Sequence, residues 1–139
     1  MGLVVDANVC AKWFLNEDHH VHARRLASSG ERLLAPDLIH AEMGSIVWKM
    51  CRRNIITLTQ GERILRQFGN APIELTPATV LAPSALTIGL ALGHSFYDCL
   101  YLALARRSRA RLVTADERLH KKLVGTPFAG LSLWIEDVP

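Results

Sequence analysis

The sequence predicts one α/β domain spanning residues 1–139, built as a three-layer α/β/α sandwich around a central, mainly parallel sheet of about five short strands. Two observations lead to this prediction. Short, continuous apolar runs alternate along the chain with longer segments in which apolar residues recur every three or four positions, the pattern of alternating strands and helices. The 139 residues, of which 50% are hydrophobic, can bury the core of one domain, and no repeat, linker or low-complexity tract divides them.

Strands are predicted where an apolar run is brief and bounded by turn residues, at 3–5, 33–35, 73–75, 112–113 and 131–135. Helices are predicted at 8–14, 20–28, 37–53, 59–68, 79–92, 96–108 and 115–124. Asn8 and Asp37 are of the residue types that cap a helix N-terminus, and we expect them to start the first and third helices. Pro83 is expected to break the fifth helix or to delay its start.

Four acidic residues interrupt apolar stretches of the chain: Asp6, Glu42, Asp98 and Asp116. A buried charge without a partner is costly, so such residues must be paired, protonated or bound to a metal ion. No lysine or arginine lies close enough in sequence to pair with all four. Asp6 and Asp116 follow predicted strands, and ligands of parallel α/β sheets bind at the carboxyl ends of the strands. We therefore expect the four carboxylates to converge there and to share a divalent cation.

Each of these acids also has a local explanation. Asp6 could form an Asx-turn between strand and helix, and Glu42 could be an ordinary surface residue. Asp98 follows Ser95 at the spacing of a capping box, although the apolar helix behind it predicts that Asp98 lies inside the protein. Asp116 could stabilise a helix dipole, but a neighbouring acid fits the capping pattern better and leaves Asp116 without a local role. Four such coincidences in one chain are less plausible than a shared site.

Oxygen-only ligands favour hard cations, so Mg²⁺ or Mn²⁺ is the predicted cofactor. Close carboxylates repel one another by on the order of 4 kcal/mol per pair at an effective dielectric constant of about 20. At least one of them should therefore hold a proton when no cation is bound. A bound cation polarises a phosphate group and lowers the pKa of a bound water, which then becomes the nucleophile. The predicted chemistry is the hydrolysis of a phosphodiester.

The charge balance favours a nucleic acid as the substrate. Lysine and arginine number 16 against 13 acids, a net charge of +3, and four of the acids belong to the predicted site. The arginine cluster at 106–111 precedes the fourth strand, so it should lie at the opposite edge of the sheet, roughly 15 Å from Asp116 at ~3.3 Å per residue. The better candidates for contact with nucleic acid are on helices that start at or pass the acidic edge: Lys12, Lys49, Arg118 and Lys121.

The cysteines and the hydropathy pattern indicate the compartment. Cys10, Cys51 and Cys99 are odd in number and have no CxxC spacing, which indicates reduced thiols. No apolar run is long enough for a transmembrane helix, and the chain opens directly on a strand rather than on a signal peptide. We therefore expect a cytoplasmic protein without a membrane partner.

The histidines have ordinary structural interpretations at this stage. His19, His20 and His22 are interpreted as part of a polar loop that enters a helix rather than as metal ligands. His94, one turn before Asp98, is interpreted as a residue at a helix end, although its position would allow contact with the site.

Four segments, in this order and at this spacing, resemble the PIN-domain nucleases and among them the VapC-type toxins of bacterial type II toxin–antitoxin systems: VVDANV, APDLIHAEMGSIVWK, SFYDCLYLALA and LVTADERL. The resemblance implies Mg²⁺- or Mn²⁺-dependent endoribonuclease activity on structured RNA, inhibition by a small cognate antitoxin, and a homodimer. It also implies that Asp6, Glu42, Asp98 and Asp116 are the catalytic residues and the metal ligands. Asn8 and Thr114 match small polar positions beside the first and last acids, and the resemblance implies that they orient those acids.

Other functions fit the residues less well. A phosphatase of the haloacid dehalogenase type would need a second aspartate where Asn8 stands. A receiver domain would need a lysine after a later strand, where Thr114 stands. The remaining alternative is a non-catalytic PIN-like partner in a DNA-binding regulatory complex, whose acids only support the structure.

Overall fold

The computed structural model describes residues 2–139 and divides them into five strands and seven helices. The strands are β1 (Leu3–Val5), β2 (Leu33–Pro36), β3 (Ile73–Thr76), β4 (Arg111–Thr114) and β5 (Ser132–Trp134). The helices are α1 (Ala7–Ala11), α2 (His20–Ala27), α3 (Ile39–Arg52), α4 (Leu58–Gly69), α5 (Ala78–Leu92), α6 (Phe96–Ser108) and α7 (Glu117–Leu123). Single turns of 3₁₀ helix at Ala129–Leu131 and Ile135–Asp137 flank β5.

All five strands are parallel and lie in the order β3-β2-β1-β4-β5. β1 is therefore the central strand, with Leu3 beside Leu33 of β2 on one side and beside Arg111 of β4 on the other. The chain builds outward from β1 through β2 to β3 and then crosses back to β4 and β5. Right-handed crossovers place α1 to α4 on one face of the sheet and α5 to α7 on the other. The predicted three-layer sandwich is confirmed.

Helix α6 is the central helix of its layer. It packs along α5 and against β1, β2 and β4, and every residue of the segment 99–105 is buried. Val4 and Val5 of β1, on opposite faces of the sheet, have no exposed surface. Burial of a side chain of this size stabilises the fold by roughly 1.5–3 kcal/mol. The prediction that protein surrounds this helix is confirmed. Its packing fixes the position of the residues at its N-terminus.

The predicted start of α1 was wrong. Asp6, not Asn8, is the N-cap, because its backbone is extended and its Oδ1 accepts a 2.8 Å hydrogen bond from the backbone N–H of Val9. Both residues have a capping side chain, but β1 ends at Val5, so Asp6 is the first residue free to turn. The helix also ends at Ala11 instead of continuing through position 14.

Two further helix predictions were wrong. Asp37 does not cap α3, which begins at Ile39; its Oδ1 instead accepts a 3.0 Å hydrogen bond from the backbone N–H of Ala78, at the start of α5. Helix α5 runs unbroken through Pro83. Pro83 lies in the second turn and is exposed, so it removes one intrahelical hydrogen bond, and water can reach the carbonyl of Thr79 that loses its partner.

No single helix within residues 2–139 is long and apolar enough to cross a membrane. Helices α5 and α6 meet the requirement for length and composition only as a pair, and a bend of 114° separates them. The three cysteines are free thiols, with Cys10 and Cys99 buried and Cys51 partly buried.

Candidate active site

The carboxyl edge of the sheet carries two of the four acids. Asp6 directly follows β1, and Asp116 lies just beyond β4, and these two strands are neighbours. The course of the chain reverses between them, because β1 leads to β2 on one side whereas β4 leads to β5 on the other. In open parallel sheets a crevice for ligands forms at such a point. The fold thus brings residues from opposite ends of the chain to one crevice.

Three of the four acids line one cavity. Asp6, Glu42 and Asp98 border a space of about 230 Å³. An adjoining space of about 270 Å³ shares Asp6 and Asp98 and adds Asp116. Together the two cavities form a groove, here called the acidic groove, with Asp6 and Asp98 at its middle. Asn8 is exposed and lines both cavities.

Asp6 lies where a negative charge is disfavoured. Burial raises the pKa of Asp6 from 3.8 to about 7, and the carboxylates of Asp98 and Glu42 raise it as well. The hydrogen bond from Val9 and the nearby ammonium of Lys12 oppose this rise without cancelling it. When no cation is bound, Asp6 is therefore partly protonated near neutral pH. A divalent cation held between these oxygens would remove the repulsion and the need for the proton.

Glu42 is held by a buried tyrosine. It projects from the first turn of α3 and accepts a hydrogen bond from the hydroxyl of Tyr101. Burial raises the pKa of Glu42, the hydrogen bond from Tyr101 lowers it, and Asp98 raises it further. Tyr101 is only 2% exposed, and burial and the bond to Glu42 raise its own pKa, so it stays a hydrogen-bond donor. This bond connects α3 to the helix that carries Asp98.

The environment of Asp98 contradicts two predictions. Within the described chain, Ser95 makes no side-chain capping bond, so the capping box considered as a local explanation for Asp98 is absent. The side chain of Asp98 is 44% exposed rather than buried, because the groove opens directly above the N-terminus of α6. Its Oδ2 lies 2.7 Å from Nε2 of His94, one helical turn earlier. The interpretation of His94 as an ordinary helix-end residue was therefore wrong, since it contacts the groove.

Asp116 has a local structural role, contrary to the prediction that it has none. It is the N-cap of α7, and its Oδ1 accepts a 3.2 Å hydrogen bond from the backbone N–H of Leu119. Thr114, which is fully buried, accepts a 3.0 Å hydrogen bond on Oγ1 from the backbone N–H of Asp116. Glu117, the predicted cap acid, instead pairs with Lys121 on the surface of α7. The cap falls on Asp116 because α7 starts two residues later than predicted.

The four carboxylates do not form a finished cation site. Among residues 2–139, no three His, Cys, Asp or Glu side chains stand close enough together to hold one ion as they lie. The donor chemistry nevertheless fits a hard cation. Asp6, Asp98 and Asp116 each use one carboxylate oxygen for a local hydrogen bond. A carboxylate has two oxygens, so a local bond and a ligand bond are compatible, and the local bond fixes the orientation of the side chain.

Three of the four predicted cations border this region. Lys49 lines the first cavity and Lys12 the second. Arg118 lines a third space of about 190 Å³, next to Asp116. Lys121 lines none of these three cavities, and its ammonium forms a salt bridge within α7. Lys49 and Lys12 therefore line the acidic groove itself, and Arg118 borders the space that adjoins it at Asp116.

The arginine cluster lies at the other edge of the sheet, as predicted. Arg109 and Arg111 border a cavity formed with Gly2 and Leu3, at the start of β1. The histidines at the start of α2 lie apart from the acids as well: His20 contacts the backbone carbonyl of Glu17, 2.8 Å away.

Two residues of this region, Tyr101 and Lys122, were not identified from the sequence, and His94 was interpreted there as a residue at a helix end. The spacing could have indicated Tyr101, which lies three residues after Asp98 on the same face of α6. His94 lies four residues before Asp98, in the connection that leads into α6. Lys122 has no such spacing. It reaches His94 and the backbone carbonyl of Gly93 only through the packing of α7 against this edge.

Comparison with known proteins gives one consistent family. The PIN-domain family model matches residues 3–123. Ribonuclease VapC9 of Mycobacterium tuberculosis is 32% identical over 117 residues, which cover 84% of this chain and 87% of the relative. Ribonuclease VapC3 of Pyrobaculum aerophilum is 27% identical over 124 residues, which cover 88% of this chain and 95% of the relative.

Solved structures have the same fold. The similarity to PAE2754 from Pyrobaculum aerophilum has a TM-score of 0.73 at 23% identity and covers 98% of this chain and 85% of that one. The similarity to VapBC2 from Rickettsia felis, solved bound to a DNA fragment from their promoter, has a TM-score of 0.63 at 18% identity and covers 96% of this chain and 97% of that one. At identities below 25%, these similarities show a common fold and nothing further.

Proposed function

This chain belongs to the PIN-domain family, among the VapC-type toxins, and we propose that it is a Mg²⁺- or Mn²⁺-dependent endoribonuclease, the toxin of a type II toxin–antitoxin pair. The ribonuclease names of the relatives that match most of the chain support the reaction. The acidic groove supports the chemistry and the choice of residues.

The single observation that carries the proposal is the convergence of Asp6, Glu42 and Asp98 on one cavity, with Asp116 beside it. Burial is the main cause of the raised pKa of Asp6, and the carboxylates of Asp98 and Glu42 lie close enough to raise it further. A protein gains nothing in stability from gathering like charges at one crevice. This arrangement supports the proposal that the crevice binds a cation.

Asp6, Glu42, Asp98 and Asp116 would hold the cation, which would supply an activated water and neutralise the charge that develops on the phosphate. The chain itself orients these ligands. The backbone N–H groups of α1 and α7 hold one oxygen each of Asp6 and Asp116, and the hydroxyl of Tyr101 holds Glu42. We assign Thr114 the task of fixing the turn that presents Asp116, and Asn8 contact with the substrate or with the hydration shell of the cation.

The RNA backbone would follow the acidic groove past Lys49 and Lys12 and continue into the adjoining space that Arg118 lines. These lysine and arginine side chains would bind the phosphates on either side of the scissile one, because phosphate contacts position a strand without reading its sequence. Lys121 has the weakest claim of the four predicted cations, since its charge is balanced by a salt bridge on the outer surface of α7.

The proposal includes two protein partners. The VapC names of the relatives support a cognate antitoxin. A second copy of the chain is supported by apolar side chains on the outer face of α5: Leu86 is 55% exposed and Leu90 is 78% exposed. Apolar surface of this kind is covered in many proteins by a subunit interface.

The proposed activity is tested with the purified chain, a mixture of total RNA, and Mg²⁺ or Mn²⁺. We expect cleavage that EDTA stops and that either cation restores, and we expect no cleavage by the Asp6→Asn and Asp98→Asn variants, whose folding is checked by circular dichroism. Cleavage that persists in both folded variants, or in EDTA, contradicts the proposal. A folded wild-type chain that binds no cation and cleaves no RNA would favour the non-catalytic alternative.

A further inference from the structure

We propose that His94 and Lys122 form a hydrogen-bonded relay that positions Asp98 as a ligand of the acidic groove. The relay runs from the backbone carbonyl of Gly93 through Lys122 and His94 to Asp98. The inference rests on the proposed function to the extent that Asp98 is taken as a cation ligand.

The distances define the chain of contacts. Nζ of Lys122 lies 3.0 Å from the carbonyl oxygen of Gly93 and 3.4 Å from Nδ1 of His94. Nε2 of His94 lies 2.7 Å from Oδ2 of Asp98. The histidine side chain is only 17% exposed. The relay therefore connects α7 to the start of α6.

The chemistry of the three groups fixes the direction of each hydrogen bond. An ammonium has three N–H donors and no acceptor, and a carboxylate has acceptors only. Nδ1 of His94 must therefore accept from Lys122, and Nε2 must carry the hydrogen that it donates to Asp98. Lys122 selects this tautomer because a hydrogen on Nδ1 would face another donor. A neutral imidazole flanked by a lysine and a carboxylate has only one arrangement that satisfies both neighbours.

The backbone anchors the lysine. Gly93 ends α5 in the left-handed conformation, with a φ of +60°, which turns the chain into α6 and leaves its carbonyl oxygen as the acceptor for Lys122. The adjoining Gly89 lies close to the backbone carbonyl of His94, which a Cβ at position 89 would approach to 3.3 Å. The start of α6 is thus tightly placed, and the imidazole has a fixed base from which to hold Asp98.

The consequence for Asp98 is a fixed carboxylate plane. One oxygen accepts from Nε2 of His94, and the other remains for the groove. Asp98 is 44% exposed, so without His94 it would sample several rotamers in water, and binding a cation would have to restrict them. His94 is therefore a positioning residue rather than a catalytic one, and its effect on the reaction passes through Asp98. Partners of this type typically change metal affinity or activity by about 10–100-fold.

The test compares wild type with His94→Ala, His94→Gln and Lys122→Met. The amide nitrogen of a glutamine can replace Nε2 as the donor, so we expect His94→Ala to weaken Mn²⁺ binding about 10–100-fold and His94→Gln to restore most of it. Mn²⁺ affinity is measured by calorimetry and cleavage by kcat and KM. His40→Ala is the matched control, because His40 is exposed and contacts the ring of Phe68 outside the groove.

The tautomer is read directly from the ¹⁵N chemical shifts of the imidazole, a signature that a merely structural role would not set. We expect an unprotonated Nδ1 and a protonated Nε2 in the wild type, and loss of this single tautomer in Lys122→Met. A wild-type spectrum with hydrogen on Nδ1, or equal Mn²⁺ affinity and kcat in wild type and folded His94→Ala, overturns the relay. Failure of the proposed function looks different: the wild type itself then neither binds Mn²⁺ nor cleaves RNA, and the imidazole spectrum still decides whether the relay exists.

Discussion

The hydroxyl of Tyr101 on α6 donates a hydrogen bond to the carboxylate of Glu42 on α3. The two residues lie on helices from different layers of the sandwich, and both line the first cavity of the acidic groove. Tyr101 is almost fully buried while Glu42 faces the cavity. The bond therefore fixes the position of the Glu42 carboxylate relative to the core helix α6.

Removal of this bond should impair the site more than the fold. In Tyr101→Phe, the Glu42 carboxylate loses the donor that lowers its pKa, so we expect Mn²⁺ affinity and kcat/KM to fall about 10–100-fold. The free energy of unfolding should fall by only about 1 kcal/mol, because the cavity lets water reach Glu42. Tyr97→Phe is the matched control, since Tyr97 is 60% exposed and lies outside the groove. Equal metal affinity in the two variants would contradict this role of Tyr101.

Asp6→Asn should abolish cleavage and stabilise the metal-free protein at the same time. Burial and two carboxylates oppose the charge of Asp6, and asparagine keeps a capping oxygen for α1 without that charge. At pH 8 in EDTA we expect a gain on the order of 1–2 kcal/mol in the free energy of unfolding, after allowance for screening by water in the open groove. Urea denaturation measures it. A loss of stability under these conditions would show that the charge of Asp6 is already compensated.

The stability of the metal-free protein should fall as the pH rises from about 4 to 7. The folded state keeps a proton on Asp6 up to a pKa of about 7, whereas the unfolded chain loses it near 3.8. The unfolded state thus binds fewer protons across this window, and the free energy of unfolding decreases with pH. Saturating Mn²⁺ should remove the decrease, because the cation replaces the proton. Urea titrations at several pH values, with and without Mn²⁺, test both statements, and Asp6→Asn should show a smaller slope.

Thr114→Val should disturb Asp116 without opening a cavity. Valine has the shape of threonine but cannot accept the hydrogen bond from the backbone N–H of Asp116, whereas Thr114→Ser keeps the acceptor. We expect kcat to fall about 10–100-fold in Thr114→Val, with a stability loss of about 1 kcal/mol, and we expect Thr114→Ser to stay close to wild type in kcat. Similar kcat values in the valine and serine variants would show that the threonine serves packing alone.

Lys49→Met and Arg118→Met should each weaken RNA binding in a salt-dependent way. On the inactive Asp6→Asn background, each variant should lower the slope of log affinity against log salt concentration by about 0.7, the value for one phosphate contact on a single strand. Arg107→Met is the control, because its segment leads into β4 at the opposite edge of the sheet. Fluorescence anisotropy with a labelled RNA gives the slopes. An effect of Arg107→Met as large as the other two would mean that RNA binds elsewhere.

The sequence was sufficient to predict the elements and the placement of the acids, because hydrophobic periodicity identifies buried strands and helices. The sequence did not predict correctly which residue caps α1 and α3, because more than one arrangement of the capping side chains was possible. Asp6 and Asn8 both suit a cap, and the end of β1 decides between them. Asp37 suits a cap of α3 but bonds to α5 instead, a partner remote in sequence. Such outcomes depend on packing between elements, which composition and spacing do not specify.

The candidate site illustrates the same limit. The four acids were predicted as a set, and their local bonds were treated as the competing explanation. In the structure, Asp6 and Asp116 cap their helices and still border the shared groove, whereas the capping box proposed for Asp98 is absent. A local hydrogen bond and a shared site are not alternatives, because a carboxylate has two oxygens and can use one for each. Nothing in the sequence indicated Lys122, because only the packing of α7 brings this lysine to His94.

The central position of β1 has a consequence for the protein during its synthesis. β1 is synthesised before the other four strands of the sheet, yet one of its two neighbours is β4, which is the fourth of the five to be made. Until Arg111–Thr114 has emerged, the nascent chain has an open edge at its first strand, and Asp6 has no Asp116 beside it. The acidic groove can therefore assemble only after β4 and Asp116 have been synthesised, so the pairing of β1 with β4 sets the moment at which the four acids first lie together.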